Sequence, residues 1–105
     1  MNLTFNQVGN VFVAEFEVTG DFSIHIEKPE GSIAMGQSSV AGGQYDNVRS
    51  FSYDAKDRVI DTTVIGAIYP KQMKITCSVM PTMAVISSEG DVVDITNVLT
   101  PQYSV

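Results

Sequence analysis

Gln72-Met73-Lys74-Ile75-Thr76-Cys77-Ser78-Val79 decides the fold. Met73, Ile75, Cys77 and Val79 alternate with Gln72, Lys74, Thr76 and Ser78, so every second side chain is apolar. A helix would scatter such a set around its circumference, because its neighbours on one face recur at three and four residues. An extended chain puts the set on one side, which predicts a strand over 72–79 with one dry and one wet face.

The same rule extends outward. Phe22, Ile24 and Ile26 alternate with Ser23, His25 and Glu27, and Phe12, Ala14, Phe16 and Val18 form the inward row of 11–18, leaving Glu15 and Glu17 to face water. Turn residues stand where these rows stop. Val8-Gly9-Asn10-Val11 has Gly first in a two-residue connection, the chemistry of a type II′ hairpin. Thr19-Gly20-Asp21, Pro29-Glu30-Gly31 and Glu89-Gly90-Asp91 mark further reversals, and the resulting pattern is a meander. A strand resumes over 58–65, while Val40-Ala41-Gly42-Gly43-Gln44 is a flexible connection and Asp54-Ala55-Lys56-Asp57 a turn. Pro70 and Pro81 limit neighbouring strands, since proline gives no donor to a ladder. Near Tyr53 to Ile60 a helix is sterically tolerated, but the apolar spacing it would need is missing.

Composition agrees. The chain has 105 residues, with Val (14) and Ile (9) far above Leu (2), and branching at Cβ favours the pleated strand. A length of this order supports one core. The expectation is a single all-β domain over 1–105, an antiparallel sandwich or barrel of about eight or nine short strands, Ig-like or jelly-roll-like, with 100–105 as an extended tail.

Charge narrows the partners. A net charge of −6, with six Lys and Arg spread between Lys28 and Lys74, argues against nucleic acid, which is bound through clustered cations. It also argues against an anionic membrane surface, and no apolar run is long enough to cross a bilayer. Charged residues make up 17% of the chain, so Ser, Thr, Asn and Gln supply much of the polar surface, as suits a protein that works against other protein. Met1-Asn2-Leu3-Thr4-Phe5 begins like a strand, without the basic and apolar regions of a signal peptide, which implies synthesis in the cytoplasm without export. Cys77 is alone and forms no intrachain disulfide.

No constellation for catalysis emerges, and neither a small-molecule ligand nor a cofactor is expected. His25 falls on the wet face of its strand, where an ordinary exposed imidazole is the expectation, and Cys77 falls on an apolar row as a small core residue. Asp54, Asp57 and Asp61 could offer oxygen to calcium but lack the spacing and glycine of a calcium loop, so solvated carboxylates are expected. Gly42 and Gly43 lack the strand-to-helix setting of a phosphate loop. Tyr45, Tyr53, Tyr69 and Tyr103 are the candidate interface residues, because Tyr buries apolar area while keeping its hydroxyl bonded or wet. They would serve either protein docking or, in a fibre or adhesin, recognition of a surface glycan.

Met1 entering a strand directly, the Ser/Thr/Asn-rich faces, the low charge, and Phe12-Val13-Ala14-Glu15-Phe16-Glu17-Val18 followed by Gly20-Asp21-Phe22-Ser23-Ile24-His25-Ile26-Glu27 form one pattern. It resembles the small all-β virion proteins of tailed bacteriophages, most of all the auxiliary capsid (decoration) proteins of crAss-like phages. The resemblance implies a non-enzymatic protein on the capsid surface of the virion. Its partners would be the major capsid protein and neighbouring copies, and its role to stabilise the assembled shell.

Overall fold

The computed structural model describes residues 1–40, 46–53, 57–65 and 68–99. Its strands are β1 (Asn6–Val8), β2 (Val11–Val18), β3 (Phe22–Glu27), β4 (Ala34–Val40), β5 (Asp46–Tyr53), β6 (Val59–Val64), β7 (Lys71–Cys77), β8 (Met83–Ser88) and β9 (Val92–Asp94), followed by the one-turn helix α1 (Thr96–Leu99). One sheet runs β1-β2-β7-β4-β5, with β9 also on β2; the other runs β6-β3-β8, and all pairings are antiparallel. The Asn2 to Val85 bridge, with Leu3 N–H to Ala84 O at 2.9 Å, adds the first residues to the free edge of β8. The chain is thus an all-β sandwich of two open sheets, and the barrel alternative is set aside.

Between the sheets lie the alternating rows: Phe16 and Val18 from β2, Phe22, Ile24 and Ile26 from β3, Met73, Ile75 and Cys77 from β7, with Ile60 and Ile86. Phe16 and Phe22 meet edge to face at 5.7 Å across this core. That contact explains why the expected meander is wrong. Were Thr19-Gly20-Asp21 a hairpin, β3 would lie beside β2 and the two rings would not oppose each other across the core. The turn instead carries the chain to the opposite sheet, as does every connection except β1–β2 and β4–β5. At β1–β2 the hairpin is as the sequence predicts, with Val8 opposite Val11 and Gly9 at φ +62.

Two adjacent crossings abut through glycine. The β2–β3 turn and the β8–β9 turn run side by side, and a Cβ on Gly90 would stand 2.5 Å from Thr19 Oγ1 and 2.8 Å from Gly20 N. Thr19 N–H bonds Asp91 O at 3.1 Å and Glu89 N–H bonds Asp21 O at 2.9 Å, locking the turns together.

The expectation that Glu15 faces water is also corrected: it is 3% exposed, and Val13 on the same face is buried. The cause is the C-terminal segment. β1 and β9 lie end to end along one edge of β2, and the gap between them falls at Glu15. There Ile95 N–H bonds Glu15 O at 2.9 Å, while Thr96 Oγ1 accepts from Glu15 N–H at 2.9 Å and lies 3.0 Å from Glu15 O and 3.1 Å from Thr4 O, so a hydroxyl takes the place of a strand carbonyl for that amide. Asn6 and Asn97 bond beside it at 3.0 Å. Burial disfavours charge on Asp94, yet hydrogen bonds from Thr96 and Thr4 hold its carboxyl below the usual range.

Candidate interaction surface

Of the four candidate tyrosines, Tyr45 and Tyr103 lie outside the described residues. Tyr53 ends β5 opposite Ala34, level with Cys77 at one end of β7, while Tyr69 precedes Lys71 at the other end. The backbone thus sets Tyr53 and Tyr69 toward opposite ends of β7. Tyr69 packs partly on the core, gives its hydroxyl hydrogen to Asp21 and carries Lys71 Nζ 5.9 Å from its ring centre, which accounts for it structurally.

His25 sits where the sequence places it, on the outer face of the three-stranded sheet, but it is not isolated. Pairing aligns three rows across this face: Thr63, Ser23 and Ser87; Asp61, His25 and Val85; Val59, Glu27 and Met83. His25 Nδ1 bonds Asp61, and its Nε2 lies 3.6 Å from Glu27 Oε2. The hydrogen bond to Asp61, aided by the charges of Asp61 and Glu27 against some desolvation, raises the imidazole above its ordinary pKa. Ser23 and Thr63 share a hydrogen bond at 3.0 Å, so the nearest hydroxyls are turned to one another and the histidine to carboxylates. A shallow notch of about 350 Å³ opens over this region.

The remaining candidates do not converge with it. Cys77 is buried at the end of its inward row, and burial pushes its thiol up to about 11, the nearby Lys28 charge only partly opposing this. Asp57 precedes β6 and Asp61 lies within it, paired with His25; Asp54, Gly42 and Gly43 are outside the described residues. Among the described residues no three His, Cys, Asp or Glu side chains are grouped to hold a metal ion.

What the sequence did not single out is an apolar end. The stretch expected to remain strand through Val79 stops at Cys77: Ser78 N–H still bonds Ile33 O at 2.9 Å, but Ile33 N–H goes to the Ser78 hydroxyl at 2.8 Å, and the chain then crosses to β8. Ile33, Val59, Val79, Met80 and Met83 are left between 45% and 52% exposed at this end. Beside them a groove of about 400 Å³ is lined by Leu3, Phe5, Met80, Pro81 and Met83, among others. The signal lay in Val79-Met80-Pro81-Thr82-Met83, an apolar run across a proline where alternation lapses. Close by, Arg58 donates through Nε (3.1 Å) and Nη2 to Glu30, lowering that carboxyl.

No family model, curated protein or solved structure matches the chain.

Proposed function

We propose that the protein is a non-enzymatic structural component of a phage particle, an auxiliary capsid protein that binds and stabilises the assembled major capsid shell. The observation carrying this reading is the apolar end, where Ile33, Val79 and Met80 in two crossings and Val59 and Met83 at the starts of β6 and β8 are each exposed. Large apolar side chains exposed at one end of a small domain suit docking to another protein. Methionine, flexible and polarizable, suits a surface that must fit a neighbouring protein. The low charge and the sequence resemblance support the shell as the partner. On a lattice, modest contacts repeated at high effective concentration give firm attachment without a deep pocket.

The test is mass spectrometry of purified particles, with re-addition of the protein to particles stripped of it. The expected result is fixed stoichiometry and co-sedimentation, weakened about tenfold or more by Met80→Asp with Met83→Asp, since charge at a buried contact is costly. Presence in infected-cell lysate but never in purified particles overturns the reading.

A further inference from the structure

We infer that the outer edge of β6 pairs with the same edge of a second copy of this chain, joining two three-stranded sheets across a two-fold axis at Thr62. The inference does not rest on the proposed function.

The smaller sheet ends at β6, and among the described residues no strand lies on its far side. The phase of the ladder says which backbone groups face that side. Lys28 N–H bonds Arg58 O at 2.8 Å, so Ile60, Thr62 and Val64 turn their amides and carbonyls toward β3, while those of Val59, Asp61 and Thr63 point away from it. Sheets protect such edges with short strands, bulges, proline, lysine or a covering segment. The other edges here carry these devices. β1 and β9 are three residues long, β5 joins β4 through a register shift, and along β8 the Met1 ammonium bonds Ile86 O and Leu3 N–H bonds Ala84 O. β6 carries none of them: its six residues pair with β3 without a shift, and all except Asp61 are β-branched. The Asp61 charge is answered by His25.

The residues of β6 suit a second β6 and select its register. Antiparallel pairing about a two-fold axis must oppose odd-numbered residues to odd-numbered ones, since these carry the outward backbone groups. An axis at Asp61 opposes two carboxylates, which is unfavourable. An axis at Thr62 opposes Thr62 to itself and Asp61 to Thr63 on both sides, so these pairs can exchange backbone hydrogen bonds. The same register opposes Ile60 to Val64, both buried, and continues the inner apolar row from one copy into the next. With one more extended residue, Val59 and Ile65, 47% and 77% exposed, also meet across the axis. Axes further along the strand shorten the overlap.

Sedimentation equilibrium of the full chain tests this. The expected result is a reversible dimer with a dissociation constant on the order of 0.1 mM, as befits a small interface. Thr63→Asp, which opposes carboxylates twice, should weaken it about tenfold, and Thr63→Lys should tighten it several-fold. Asp91→Asn, an equal change of charge at an exposed turn, should leave it unchanged. Thr62→Cys should form an intermolecular disulfide on mild oxidation, and Asp61→Cys should not, because only Thr62 meets its own copy. A monomer at 10 times that concentration overturns the inference. So does a dimer that is indifferent to Thr63→Asp, that is lost through Met80→Asp instead, or that crosslinks through Asp61→Cys in preference to Thr62→Cys.

Discussion

At the scale of single residues, Thr96 bears the heaviest structural duty relative to its size. Its hydroxyl serves the amide of Glu15, and Thr96 itself is 1% exposed. Thr96→Val should destabilise the protein by about 1–3 kcal/mol in urea unfolding, because a buried donor loses its partner. Thr96→Ser should recover most of that. For His25, the folded pKa lies above the ordinary 6.5, so its small stabilising contribution is complete below that value and fades as pH rises through the raised one. An NMR titration of His25 should show this elevation, and Asp61→Asn should bring the midpoint down. Cys77, buried with its thiol held protonated, should resist a thiol reagent at pH 8 until the chain is unfolded by denaturant.

At the scale of elements, the paired crossings are the strictest requirement. Gly90→Ala places a methyl against Thr19 and the Gly20 backbone, which cannot retreat without parting two turns, so a loss of about 1–3 kcal/mol in thermal unfolding is expected. The elements also show what a sequence discloses. β2, β3 and β7 were legible because aliphatic side chains at every second position can be hidden only by an extended backbone. β4 was not, since Gly36-Gln37-Ser38-Ser39 has no apolar row to betray it and its pairing with β5 shifts register after Met35. β9 and α1 were equally silent: four residues of helix carry no period, and the burial of Glu15 beneath them depends on contacts 81 residues apart. The site divides the same way. Exposure of His25 followed from local alternation, but its meeting with Asp61, 36 residues away, required the pairing of β3 with β6.

At the scale of the whole molecule, the sandwich has one core, and Phe16 lies at the contact between its halves. Phe16→Ala should cost about 3–5 kcal/mol in denaturant unfolding, enough to consume much of a small domain's stability. The connections have a further consequence. β2 finds its main partner in β7, and β3 is completed only by β6 and β8. A ribosome that has released residues 1–64 has therefore supplied strands for both layers but not the middle of the larger one. The larger sheet must therefore wait for β7, and its completion is expected late, at the slower pace of proteins whose contacts are remote in sequence.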